Sequence, residues 1–121
     1  MMTIEWFDPK IGVPIITIAE YGVTFNKAAI EAMGNPERVK LGFDKQYKKM
    51  CIMPVEDEDE RAFAFADKER DGYVRINNKD FVRFVLRYFP ELTLDKSIRC
   101  VAIWDAEKRL LFADVANIEN E

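Results

Sequence analysis

The stretch VTFNKAAIEAM at residues 23–33 decides the fold, because a related stretch, VRINNKDFVRF, returns at residues 74–84. Each begins with alternating side chains and an asparagine, then continues in a helical pattern. Further along, VKLGFD at 39–44 and CVAIWD at 100–105 both end in an aromatic residue followed by aspartate. From Val to Asp is 21 positions in the first case and 31 in the second, so one insertion around 89–99 reconciles them. We interpret the chain as one small unit present twice.

Turn and cap residues predict the same element order in both copies. In the first copy, β-branched residues at 14–19 predict a strand, Gly22 a tight turn, and Asn26 a helix N-cap. In the second copy, residues 62–66 alternate small and large side chains and predict a strand, followed by a turn over 67–72. A clean apolar stripe predicts a helix over 78–88, formed by Phe81, Phe84, Val85 and Tyr88.

The predicted fold class is therefore α+β: two tandem β-β-α-β-β copies forming one pseudo-twofold barrel. The copies span about 15–55 and 62–115, within a single domain over 1–121. Each half alone would bury too little surface to be stable, so we expect the halves to pack against each other. Trp104 and Phe43, which hold equivalent places, are expected in the core.

The net charge of −4 comes from one place. Residues 56–60, EDEDE, carry five negative charges, while the segments before and after them are close to neutral. Like charges in a run repel each other and stay hydrated, so we interpret this segment as an exposed linker between the copies. The alternative is an acidic lure for a basic partner, or a nucleic-acid mimic.

Composition argues against catalysis. The chain has no histidine, its only serine is Ser97, and its five glycines form no phosphate-binding loop. The segment 67–72 has the acidic spacing of an EF-hand, but Asn78 stands where the bidentate glutamate would be, so we expect a turn and no calcium site. We predict a protein that is not an enzyme and uses no cofactor or metal.

Two cysteines, Cys51 and Cys100, at positions that do not correspond between the copies, predict free thiols and a reducing, cytoplasmic setting. No apolar run approaches the roughly 20 residues needed to cross a bilayer, so we expect no membrane partner.

The segment GVTFNKAAIEAMG at 22–34 resembles the AbrB/MazE/SpoVT swapped-hairpin family, through Gly22, Thr24, Lys27 and Gly34. Two copies in one chain resemble the MraZ-like arrangement of that fold. The resemblance implies a swapped-hairpin, double-split barrel and a bacterial transcription regulator that binds DNA, commonly as a dimer or larger assembly. Of the positions that contact DNA in the family, the resemblance carries over Lys27.

Other candidate DNA-binding residues come from the pattern of cations. Three of them recur at i, i+4 and i+8 on the second predicted helix, where a row of cations can follow phosphates, although a hydrated helix face gives the same pattern. Lysines also crowd the first hairpin turn beside Tyr47, which is equally typical of a soluble turn. The full candidate set is Lys27, Lys45, Lys48, Lys49, Arg75, Lys79, Arg83 and Arg87.

The leading prediction is a non-enzymatic, AbrB-like protein that binds double-stranded DNA and regulates transcription. The alternative is a protein-interaction or assembly module of the same fold, without DNA binding, whose partner is itself or another protein.

Overall fold

The computed structural model describes residues 2, 4, 6–10, 12–56 and 59–115. In these residues, nine mostly antiparallel strands form a curled, half-barrel sheet with two α-helices. The coarse prediction of an α+β, barrel-like fold is confirmed. In chain order the elements are β1 (Ile15–Ala19), β2 (Gly22–Phe25), α1 (Lys27–Ala32), β3 (Arg38–Asp44), β4 (Lys49–Val55), β5 (Ala62–Ala64), a 3₁₀ turn (Ala66–Lys68), β6 (Glu69–Arg70), β7 (Tyr73–Asn77), α2 (Lys79–Tyr88), β8 (Ile98–Asp105) and β9 (Leu110–Asp114).

Strands from the first half of the chain pair with strands from the second half. The order across the sheet is β5-β3-β4-β9-β8-β1-β2-β7-β6. Thus β2 pairs with β7, β4 with β9, β1 with β8, and β3 with β5, all antiparallel. The inward side chains of these strands make one core, in which Phe25, Ile52, Leu111 and Val74 are almost completely buried.

Asparagine side chains begin both helices. Oδ1 of Asn26 accepts a hydrogen bond from the amide of Ala29 at 2.9 Å, which confirms the predicted cap. The same oxygen accepts from the amide of Ile15 at 2.9 Å, and Nδ2 donates to the carbonyl of Val13 at 2.8 Å. Asn26 therefore also ties α1 to the start of β1. In α2 the cap is Asn78, whose Oδ1 accepts from the amide of Phe81 at 2.9 Å.

The buried face of α2 differs from the predicted stripe. Phe81 and Val85 are buried as expected, but the third buried side chain is Val82, and Phe84 is 39% exposed. Seven of the nine residues from 81 to 89 are apolar, so several faces of the helix satisfied the helical period. Packing of α2 against β2 and β3 selects the face centred on Val85, with Phe81 and Val82 on either side of it.

The two long hairpins have the same turn. Oδ1 of Asp44 accepts from the amides two and three residues later, at 2.9 and 3.1 Å, and Oδ1 of Asp105 does the same at 3.1 Å in both cases. Each turn ends in a residue with positive φ, Lys48 at 57° and Arg109 at 54°. The matched aspartates of the sequence thus fix turns. Phe43 and Trp104, expected in the core, lie partly buried at its margin.

The segment 62–70 departs from the predicted strand and plain turn. The strand ends at Ala64 because the backbone of Phe65 leaves the extended region, at φ −129° and ψ −68°. This lets the Phe65 ring turn inward, where it packs edge-on against Phe25 with centroids 5.1 Å apart. A 3₁₀ turn and the short strand β6 follow. Because β5 and β6 lie at opposite edges of the sheet, this segment bridges the edges and curls the sheet.

We expect Asn26→Ala to destabilise the protein more than Asn78→Ala. Asn26→Ala removes a helix cap and two further hydrogen bonds to the β1 segment, and should lower the free energy of unfolding by about 2–3 kcal/mol. Asn78→Ala removes a cap alone, and should lower it by about 1 kcal/mol. Urea unfolding followed by circular dichroism measures both. Equal losses would contradict the bridging role of Asn26.

At Gly22 the backbone of β2 lies too close to β7 to leave room for a side chain. A Cβ added there would overlap the carbonyl oxygen of Ile76 and lie 3.0 Å from the Cα of Asn77, at a φ of +155°. We therefore expect Gly22→Ala to cost about 2–4 kcal/mol of unfolding free energy. Gly42→Ala is the matched control, because its Cβ would lie 4.0 Å from the nearest backbone oxygen and should cost less than about 1 kcal/mol. Equal unfolding midpoints for the two variants would refute this contact.

Candidate nucleic-acid interface

The structure brings the lysines of one hairpin turn to the end of the helix that carries Arg87. The turn of the β3–β4 hairpin lies against the C-terminal end of α2, where both meet at Tyr88. We call Lys45, Lys48, Arg87, Phe84 and Tyr88 the Tyr88 cluster. Its members come from one hairpin turn and from the last turn and a half of one helix.

Both lysines contact Tyr88 directly. Nζ of Lys48 donates to the carbonyl oxygen of Tyr88 at 2.8 Å, and Nζ of Lys45 lies 5.5 Å from the centroid of the Tyr88 ring. The first contact satisfies a carbonyl at the helix end that has no intrahelical partner, and it places positive charge at the negative end of the helix dipole. The second is within the range of a cation–π interaction. Arg87, the preceding residue, is exposed.

Two further aromatic rings pack on Tyr88. The Phe43 ring stacks on Tyr88 with centroids 6.1 Å apart and an interplanar angle of 11°, and Phe84 meets Tyr88 edge-on at 5.3 Å. The sequence pattern placed Phe84 and Tyr88 in a core stripe and so missed them as surface groups. The available signal was the alternation of arginine with these rings along residues 83–88.

Three of the other candidate residues lie on aromatic rings elsewhere or on another helix. Lys49 lies over Phe112, at 4.6 Å, on the outer face of the sheet. The guanidinium of Arg75 stacks on Tyr21 at 5.0 Å, on the outer side of β7. Lys27 is exposed at the start of α1.

Lys79 and Arg83 lie beside a groove that also contains acidic residues. The groove, of about 550 Å³, is lined by both cations together with Glu20 and Asp95, over a floor of apolar side chains. The Arg83 guanidinium also pairs with Asp80 at 3.0 Å. Lys79 and Arg83, at the N-terminal side of the predicted cation row, thus have acidic neighbours. Only Arg87, at the C-terminal end of the row, belongs to the Tyr88 cluster.

The acidic run lies away from the Tyr88 cluster. Among its described residues, Glu56 follows β4 and approaches Arg109 at 4.0 Å, while Asp59 pairs with Lys40 at 3.4 Å. Residues 57 and 58 of the predicted linker lie outside the described residues. The turn at 45–48 is at the other end of β4, and a strand of this length spans about 20 Å. The negative and positive groups therefore sit at opposite ends of one hairpin.

The described residues contain no group of three or more potential metal-ligating side chains that could hold an ion. In the segment that resembled an EF-hand, Oε2 of Glu69 accepts from the amide of Gly72 at 2.7 Å and so closes a turn. Neither helix in the described ranges is long and apolar enough to cross a membrane.

Both cysteines are free thiols, as predicted. Burial raises the pKa of Cys100 to about 11 and also raises the pKa of Cys51, which disfavours the thiolate form of both.

Comparison with known proteins yields no relative: no protein-family model matches the chain, and neither the curated proteins nor the solved structures contain a significant match.

Asp59 should make the free energy of unfolding depend on pH in the acidic range. Hydrogen bonds from the backbone amide and guanidinium of Arg61 lower the pKa of Asp59 to about 2. A folded-state pKa below the unfolded value gives stability that is present above about pH 4, the ordinary aspartate pKa, and is lost as pH falls toward 2. We expect Asp59→Asn to lower the urea midpoint at pH 6 and to match the wild type near pH 2. A constant difference across this pH range would exclude the effect.

Proposed function

We propose that this protein is a non-enzymatic DNA-binding protein of the swapped-hairpin type, which holds the phosphate backbone of a duplex at the Tyr88 cluster. The observation that carries the proposal is the contact of the hairpin turn with the end of α2, since it makes one surface from two cation groups. A role in transcription regulation follows from the resemblance of residues 22–34 to that family.

The Tyr88 cluster divides its charges between structure and binding. Lys48 is committed to the carbonyl of Tyr88 and offsets the negative end of the helix, which would otherwise repel phosphate. Lys45 and Arg87 are exposed, and among the described residues neither forms an ion pair. These two cations are thus free to replace counterions on neighbouring phosphates, and the partly exposed ring of Phe84 can contact sugar or base.

Charge segregation makes this surface attractive to a polyanion despite the negative net charge. Glu56 is about 20 Å from the turn, along β4, and this distance is about two and a half times the ~8 Å Debye length at physiological ionic strength. Lys40 and Arg61 further compensate Asp59, and Arg109 compensates Glu56. The acidic end therefore neither screens nor blocks the basic end.

The strand pairing supports the finer fold proposal, that the chain is two interlocked copies. In this proposal β1, β2, β3 and β4 of the first copy correspond to β5, β7, β8 and β9 of the second. The β1–β8 pair then corresponds to β5–β3, and the β3–β4 pair to β8–β9. The β2–β7 and β4–β9 pairs each join two corresponding strands. The two hairpin turns correspond at a constant offset of 61 positions, from Asp44 to Asp105. On this correspondence the second turn has Ala106 in the place of Lys45, so the lysine that lies over Tyr88 has no counterpart in the second turn.

Charge reversal tests the proposal with a matched control. Fluorescence anisotropy with a mixed-sequence duplex at low salt should detect binding whose affinity falls as salt rises. Lys45→Glu and Arg87→Glu should each weaken binding by about tenfold and reduce the log–log salt slope by about 1. Lys108→Glu places the same change in the equivalent turn of the other hairpin and should leave the affinity within about twofold.

Arg83→Glu tests whether DNA contacts the Tyr88 cluster alone or the whole row of cations along α2. Because Asp80 already pairs with Arg83, we expect a smaller loss of affinity than for Arg87→Glu. Equal binding by Lys45→Glu and Lys108→Glu would overturn the proposed surface, and no binding by the wild type at low salt would overturn DNA binding itself.

An assembly module without DNA binding is the second candidate function. It is favoured by a different observation, the exposed apolar side chains on the outer face of β8 and β4, where Ile103 is 58% exposed. Absence of a DNA complex together with self-association that depends on protein concentration would select this function.

A further inference from the structure

The outer face of β8 carries an ordered series of side chains. Cys100 and Ala102 point into the core and are buried, so the alternation of the strand turns Arg99, Val101 and Ile103 outward. Asp105 continues the same face at the end of the strand. Along β8 the outward order is therefore positive, apolar, apolar, negative.

Neighbouring strands extend the apolar part of this face. Ile103 pairs with Phe112 on β9, which in turn pairs with Cys51 on β4, and both are partly exposed. Met53, two residues along β4, is on the same side and is exposed. These residues form a row across three adjacent strands in the middle of the sheet.

The N-terminal segment borders the face on its other side. A cleft of about 440 Å³ runs beside β8 and is lined by Phe7, Val13, Arg99 and Val101, among others. Phe7 is 67% exposed and the adjacent Trp6 is 82% exposed. Phe7 thus stands at the rim of a cleft next to an exposed sheet face, and among the described residues it makes no aromatic contact.

We propose that this outer face binds a second copy of this chain, with β8 facing β8 of the partner in an antiparallel two-fold arrangement centred near Ala102. In this arrangement the exposed side chain of Ile103 meets Val101 of the partner subunit and enters the adjoining cleft. By symmetry the same contact occurs twice.

The charge order of β8 supports a second copy over an unrelated partner. When the strand faces itself antiparallel about Ala102, the position of Arg99 coincides with that of Asp105 of the partner subunit. Two opposite-charge contacts then flank the apolar centre, which is the self-complementarity that a two-fold interface requires. A face with one sign of charge would repel its own copy.

The size of the patch also fits. The exposed parts of Phe7, Val13, Met53, Val101 and Ile103 amount to roughly 450 Å², taking about 150–250 Å² for a fully exposed aromatic side chain. A patch of this size lies within the ~300–600 Å² range of the largest, often functional, apolar patches on monomers, and it supplies about half of the ~800 Å² per partner of a stable interface.

Sedimentation equilibrium of the full chain, from micromolar to about 0.5 mM, tests the proposal. The wild type should reach a dimer, and Ile103→Ser should raise the dimer dissociation constant by about tenfold or more. Tyr73→Ser is the matched control, because Tyr73 is also an exposed strand residue, at 54%, but lies on β7. It should leave the dissociation constant within about twofold.

Asp105→Asn tests the charge contact without breaking the turn, since the amide oxygen still accepts the two turn hydrogen bonds. We expect a weaker dimer, by about threefold, with a reduced dependence on salt. Near-ultraviolet circular dichroism of each variant verifies the fold. A wild type that stays monomeric throughout, or an Ile103→Ser variant that dimerises like the wild type, would overturn the proposal. The inference does not rest on DNA binding, because the Tyr88 cluster contributes no residue to it.

Discussion

Pairing between β4 and β9 is the interaction on which the rest of the structure depends. It places Met50 opposite Ala113 and Ile52 opposite Leu111, and these side chains are completely or almost completely buried. Through this pair the hairpin of the first half and the hairpin of the second half become neighbours in one sheet. The apolar surface that neither half can bury alone is then removed from water on both sides of the same junction.

The same junction fixes the position of the surface groups. Because β3 contacts α2 while β4 is held by β9, the turn between β3 and β4 has a fixed position at the end of α2. Lys45 and Lys48 are then held in place by their contacts with Tyr88. A pre-positioned cation loses less conformational entropy on binding than a free lysine does. The acidic residues lie at the opposite end of the hairpin, so positive and negative charges are separated along it.

The sequence predicted what depends on local pattern and turn chemistry. The α+β class, the Asn26 cap and both hairpins follow from spacing, and the structure has them. The buried face of α2 could not be predicted, because an almost continuous apolar run at 81–89 leaves the choice to β2 and β3. The break at Phe65 likewise depends on the space beside Phe25, which no local pattern reveals.

The candidate site was predictable in its parts but not in its assembly. All its cations were among the predicted set, yet the approach of Lys45 to Tyr88 depends on tertiary packing between residues 43 positions apart. The aromatic members were assigned to the core because rings at helical spacing usually lie there. The strand order of the sheet decides which cations lie close together. That order is set by pairing between distant strands, for which a single segment of sequence carries no signal.

Pairing across the halves also sets the order in which the chain can fold. Ile15 in β1 has Val101 as its neighbour in β8, so β1 is synthesised roughly 4–17 seconds before that partner. During this interval the apolar residues of the first half, including Ile16 and Ile18, have no partner strand on that edge. The native sheet can form only after β8 and β9 have been synthesised, because each half supplies strands that the other half needs.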